Sequence, residues 1–124
     1  MANILIVEDN ESLRLAYSSF LKQENHKVVT VATVDEALAY LAANTPDIIL
    51  LDMLIPRKNG IELLKAYDVV QDHPNVKVIG FSNYSEIKIQ EEAIRLGVGL
   101  YLTKATTTPK ELVDIIHKQL SNKN

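Results

Sequence analysis

Cysteine is absent from the 124 residues, which removes disulfides, thiolate metal sites and cysteine nucleophiles together. No apolar stretch approaches the roughly 20 residues that span a bilayer, and runs such as Ile48–Leu51 are of strand length. Met1 leads straight into Ile4-Leu5-Ile6-Val7 with no basic region or cleavage site. The expectation is therefore no signal peptide, no membrane contact and a cytoplasmic location. No charge sign dominates, with 13 Lys+Arg against 16 Asp+Glu and a net charge of -3, so the broad basic footprint of a nucleic-acid binder is missing. Glycine is down to 4 residues, and no G-x-G-x-x-G, P-loop or G-x-S-x-G elbow occurs, which speaks against a dinucleotide site, a nucleotide-phosphate loop and an α/β-hydrolase. His26, His73 and His117 are scattered over a strand start, a loop and a helix, so neither a metal site nor a catalytic triad is expected of them.

What is present is an ordinary globular composition, 47% hydrophobic and 23% charged. The length suits one domain, 1–124, with Ser121–Asn124 as a tail. Short runs of Ile, Val and Leu stand at Ile4–Val7, Val28–Val31, Ile48–Leu51, Val76–Phe81 and Leu100–Leu102. Such continuous apolarity suits strands buried on both faces of a parallel sheet. Between them run helical stripes: Leu13, Ala16, Tyr17, Phe20, Leu21; Val34, Ala37, Leu38, Leu41, Ala42; Leu63, Leu64, Tyr67, Val70; and Leu112, Ile115, Ile116, Leu120. The Glu86–Leu96 segment has Ile89, Ala93 and Leu96 as its best face. Thr33/Glu36, Asn59/Glu62, Asn83/Glu86 and Thr108/Glu111 have capping-box spacing, and Pro109 suits a first helical position. Five βα units predict a doubly wound parallel sheet, either flavodoxin-like with order 2-1-3-4-5 or half of a dinucleotide fold.

In open sheets of this kind the working site lies beyond the carboxyl ends of the strands. The first strand delivers Glu8 and Asp9 there, the third Asp52, the fourth Ser82, and the fifth leads to Lys104. Singly, each has a plain explanation as a capping, turn or surface residue. With order 2-1-3-4-5 they converge on one shallow pocket holding three carboxylates, a hydroxyl and an ammonium. Gathered carboxylates repel and raise one another's pKa, so they call for a cation. Hard oxygen ligands in an open cleft suit Mg²⁺, and the ammonium and hydroxyl then suit an anionic occupant such as a phosphoryl group. The acidic loop after the first strand would repel a flavin phosphate.

These residues resemble the receiver domain of two-component response regulators over the whole chain, from Ile4 to Leu120. The resemblance rests on Glu8-Asp9, on Leu50-Leu51-Asp52-Met53-Leu54-Ile55-Pro56 with Gly60 eight residues after the aspartate, on Phe81-Ser82, and on Tyr101-Leu102-Thr103-Lys104. It implies the flavodoxin-like (βα)5 fold and a phosphoacceptor role for Asp52, with Mg²⁺ held by Asp9, Asp52, Glu8 and the backbone carbonyl of Leu54. Lys104 and Ser82 would bind phosphoryl oxygens, Ser82 after its loop moves inward, and Tyr101 would be the aromatic switch. Implied partners are a sensor histidine kinase or phosphotransfer protein, and an effector or second copy at the face formed by the fourth helix, fifth strand and fifth helix. The output is a shift between conformations, not new chemistry.

Three positions depart from the family pattern. Leu54 stands where a polar or small residue is usual, Asn83-Tyr84 follows Ser82 where a small residue is usual, and Ala105 replaces the proline after the lysine. The Lys104–Ala105 bond is expected trans, since a cis bond before a non-proline costs about 2.5–4 kcal/mol. Leu54 and Tyr84 flank the path of an attacking water, so the acyl phosphate is expected to be long-lived. The alternatives are a degenerate receiver serving as an interaction module and, from another class, a small phosphatase with Asp52 as nucleophile. The latter lacks an acid/base two residues on, where Leu54 stands.

Overall fold

The computed structural model describes residues 2–55, 57–83 and 87–121. The chain alternates β1 (Asn3–Val7), α1 (Glu11–Gln23), β2 (Lys27–Val31), α2 (Val34–Leu41), β3 (Ile48–Asp52), α3 (Gly60–Ala66), β4 (Lys77–Ser82), α4 (Ile87–Arg95), β5 (Leu100–Thr103) and α5 (Pro109–Ser121). A single 3₁₀ turn, Lys104–Thr106, separates β5 from α5 and had no sequence signal. The five strands are parallel and ordered β2-β1-β3-β4-β5, the flavodoxin-like alternative of the two the sequence left open.

Alternate side chains of the central strands go to opposite layers, as the two-residue period of a strand requires. Leu5, Val7, Ile49, Leu51 and Val78 pack with α2, α3 and α4. Ile4, Ile6, Ile48, Leu50, Ile79 and Phe81 pack with α1 and α5. The edge strands differ from the doubly buried strands expected: β2 is largely exposed and β5 half-buried throughout. An edge strand has a neighbour on one side only, so its helices cover it incompletely.

The helix starts follow the predicted caps closely. Asn10 receives Leu13 N–H at the head of α1, so the cap is this asparagine and not the acidic pair before it. Asn59 and Glu62 form a full reciprocal capping box on α3, and Thr108 and Glu111 exchange the same two bonds on α5. On α2, Thr33 receives Glu36 N–H while the Glu36 carboxylate takes Ala32 N–H. The Asn83/Glu86 pair cannot be followed because Glu86 lies outside the described residues. Val70 is not part of the α3 stripe: the helix ends at Ala66 and Val70 is 62% exposed.

Gly60, the family-spaced glycine, has a physical reason to be small. A Cβ built there would meet Met53 Sδ at 2.7 Å and Met53 Cα at 3.1 Å, and Met53 directly follows Asp52. Gly60→Ala should therefore destabilise by overpacking, by about 1–3 kcal/mol. Chemical denaturation checks this, with the midpoint expected to fall at unchanged slope.

Candidate functional site

The register of the sheet assembles the site. Val7 pairs with Leu51, so Glu8 and Asp52 are the next residues out on adjacent strands. Asp52 pairs with Phe81, and Ser82 pairs with Thr103, so Lys104 follows one step beyond. Glu8 and Asp52 share the parity of Ile6 and Leu50, so both belong to the α1/α5 side of the sheet. Together with Asp9, Asn10, Leu13, Leu54, Asn83 and Lys104 they line a cleft of about 270 Å³.

Within it the Lys104 ammonium lies 2.7 Å from Glu8 Oε1 and 3.0 Å from Asp52 Oδ2. The second contact is a hydrogen bond. The first is an ion pair off hydrogen-bond alignment, which leaves buried Glu8 Oε1 without a hydrogen-bond partner. Asp52 Oδ1 accepts the Leu54 N–H at 3.0 Å, so both oxygens of this buried carboxylate are held. Glu8 Oε2 accepts the Asn10 N–H at 2.9 Å. The ammonium also lies 4.9 Å from the centre of the Phe81 ring, an attractive placement of cation over π face. Phe81 meets Tyr17 edge-on, with ring centroids 5.7 Å apart. Arg14, one turn into α1, donates to the Glu8 and Asp9 carbonyls and braces the acidic loop.

Burial pushes the Glu8 carboxyl up to about 7, with the Asp52 charge adding to it and the Lys104 and Asn10 bonds opposing. Burial alone would lower Lys104, but its contacts with the Glu8 and Asp52 carboxylates outweigh this and raise it, so it stays a cation. Three carboxylates thus face one ammonium. Ligand oxygens of Glu8, Asp9 and Asp52 lie within 4.8 Å of one another. This all-oxygen set, with Glu8 Oε1 held only by the Lys104 ion pair and an exposed Asp9, fits a hard divalent cation such as Mg²⁺.

Ser82 sits elsewhere than its sequence position suggested. Since Phe81 shares the Asp52 face, Ser82 belongs to the opposite one. Its hydroxyl is buried behind the cleft, 3.1 Å from the Tyr101 hydroxyl. It does not line the cleft, whereas Asn83 does. Leu54 is at the cleft as expected, where its N–H donates to Asp52 Oδ1. Tyr84 lies outside the described residues. No cis peptide bond occurs among the described residues, so Lys104–Ala105 is trans and the ammonium still reaches Asp52. Sequence reasoning gave no site role to Phe81, Arg14 or Asn10. Phe81 stood in the sequence as the close of the fourth apolar run, but its place beside Asp52 comes from the strand register; Arg14 had no signal beyond its place on the first turns of α1.

The family model for the response regulator receiver domain matches residues 4–117. Sporulation initiation phosphotransferase F of Bacillus subtilis is 31% identical over 121 residues, covering 98% of this chain and 95% of that protein. Response regulator protein VraR of Staphylococcus aureus is 33% identical over 117 residues, covering 93% of this chain and 54% of VraR. Among solved structures, a CheY-like receiver domain protein from Methanospirillum hungatei superposes with a TM-score of 0.88 at 26% identity, covering 97% of this chain and 94% of that one.

Exposed Asp9 contributes little to the apo fold, so Asp9→Asn should shift stability by no more than about 0.5 kcal/mol. Its loss from the oxygen set should weaken Mg²⁺ binding at least about tenfold. Titration calorimetry alongside thermal melts separates the two effects.

Proposed function

Given that the chain belongs to the response regulator receiver domain family, we propose that Asp52 accepts a phosphoryl group and that the signal leaves as a change of conformation. The observation that carries this reading is the Asp52 carboxylate itself, buried at the cleft with one oxygen on Lys104 and the other on the Leu54 N–H. A nucleophile held at both oxygens is oriented before the donor arrives, and phosphoryl transfer depends largely on such positioning and on charge neutralisation. One Asp52 oxygen bonds to phosphorus as the bond from phosphorus to the donor's imidazole nitrogen breaks. The electron pair leaves on that nitrogen, which is reprotonated from solvent.

Lys104 follows the charge from the Asp52 carboxylate to a phosphoryl oxygen. Mg²⁺, when held by Glu8, Asp9, Asp52 and the Leu54 carbonyl, offsets the negative charge of the transferring group. Ser82 exchanges its Tyr101 partner for a second phosphoryl oxygen, and its departure frees Tyr101 to repack. The donor is a sensor histidine kinase or phosphotransfer protein, in keeping with the phosphotransferase name of the Bacillus subtilis relative. The downstream effector or second copy meets the α4–β5–α5 face, where Ile87 and Ile94 are exposed on α4. No helix of the described residues is long and apolar enough to cross a membrane, which suits a partner reached by diffusion. Receiver domains are signalling domains, and no substrate turnover is assigned to this one.

Incubation with acetyl phosphate and Mg²⁺ should give a single phosphoryl adduct by intact-protein mass spectrometry. Asp52→Asn or removal of Mg²⁺ should abolish it; an adduct that persists in Asp52→Asn would overturn the reading. Leu54, at the cleft wall, presents an apolar side chain to water approaching the acyl phosphate. Leu54→Asn should therefore shorten the adduct's lifetime, several-fold or more (about tenfold if the amide positions a water), as followed by the decay of that mass peak.

A further inference from the structure

Far from the cleft, at the amino-terminal edge of the sheet, the structure joins two histidines separated by 91 positions. His26, in the turn between α1 and β2, and His117, near the end of α5, face each other Nε2 to Nε2 at 2.9 Å. Their rings are 5.0 Å apart between centroids. The sequence had scattered these residues; the fold pairs them.

The hydrogen bonds assign the protons. Ala2 N–H donates to His26 Nδ1 at 3.1 Å, so that nitrogen carries no proton. A neutral His26 then holds its proton on Nε2 and donates it to His117 Nε2. His117 in turn carries its proton on Nδ1, which points toward Glu24 Oε1 at 4.0 Å. The order runs from Ala2, just before β1, through the α1–β2 turn to α5 and back to the residue after α1. An extra proton fits nowhere in it. On His26 Nδ1 it would confront the Ala2 N–H. On His117 Nε2 it would confront the His26 proton, and moving that proton to Nδ1 again breaks the Ala2 bond. Every protonated arrangement of the two rings loses at least one bond. The same bookkeeping excludes a metal shared by the two Nε2 atoms, because His26 would then need its proton on Nδ1.

We propose that His26 and His117 form a proton-operated latch, which ties the last turns of α5 to the first strand when both rings are neutral and lets go when either is protonated. Glu24, just past the end of α1, faces His117, and two residues further along α5 the Gln119 carbonyl takes the Lys77 ammonium from β4. Burial, then the neighbouring His117 and the amino terminus, lower the proton affinity of His26, with Glu24 opposing. The sign follows: a depressed folded pKa gives stability that is full above the ordinary imidazole value of 6.5 and lost as pH falls through the folded value. Release is local, since Leu112, Val113 and Ile116 keep the rest of α5 packed. The latch does not depend on Asp52 chemistry, so it stands or falls separately from the proposed function.

Long-range proton–nitrogen correlation spectra of the full chain test it without any variant. At about pH 8, well above the imidazole range, His26 should carry its proton on Nε2 and His117 on Nδ1. As the pH falls through the range, the Ala2 amide should lose about fivefold of its exchange protection, the loss of one net hydrogen bond. His117→Gln should move the His26 titration upward toward the ordinary value. Zn²⁺ added at the high pH should leave both tautomers unchanged. The opposite tautomers, Ala2 protection that ignores His26 protonation, or Zn²⁺ capture by both Nε2 atoms would each overturn the latch.

Discussion

The two-residue period of five parallel strands, held in one register, is the constraint on which the rest depends. It sends Ile4 and Ile6 to one layer and Leu5 and Val7 to the other, and does the same on β3. Continued to the strand ends, the same alternation puts Glu8, Asp52 and the Phe81 ring on one side, with Ser82 on the other. A one-residue slip of any central strand would reverse its faces. It would bury the wrong side chains and dismantle the acidic cleft at once. Stability and chemistry are thus secured by the same backbone hydrogen bonds.

The cleft shows what this arrangement costs. Two buried carboxylates lie against a single ammonium, and Asp9 brings a third negative group to the rim. Lys104 compensates part of the charge, and its position over Phe81 holds it where both carboxylates can reach it. The raised pKa of Glu8 and its oxygen without a hydrogen-bond partner record the part left uncompensated. Such a site favours the arrival of positive charge and, through Lys104, tolerates the transfer of an anionic group. The coexistence of these tendencies in one cleft suits the phosphoacceptor role proposed for Asp52.

Legibility in the sequence differed from residue to residue for physical reasons. Asp52, Asp9 and Lys104 could be found because each interrupts or follows an apolar run at a strand end. Ser82 could be found but not aimed: both faces of β4 are buried, so the run from Val76 to Phe81 hides which residues share a face. Val70 matched a helical stripe, yet the helix stops four residues earlier, at Ala66. Gly60 was visible as part of a motif, but its need to be small comes from Met53 on the other side of the loop. The histidine pair was invisible, because nothing local links the turn after α1 to the end of α5.

The sequence by itself determined the alternation of strands and helices, three of the helix caps' residue choices, the family and the identity of the acidic and basic groups at the strand ends. These follow from local periodicity and from short-range hydrogen bonds that neighbouring residues make with one another. Tertiary structure alone decided which side of the sheet each of those groups occupies, that Ser82 meets Tyr101, that Lys104 bridges Glu8 and Asp52, and that His26 meets His117. Those outcomes depend on the register between strands and on helix packing across the sheet, where contacts join residues tens of positions apart and no local pattern carries the information.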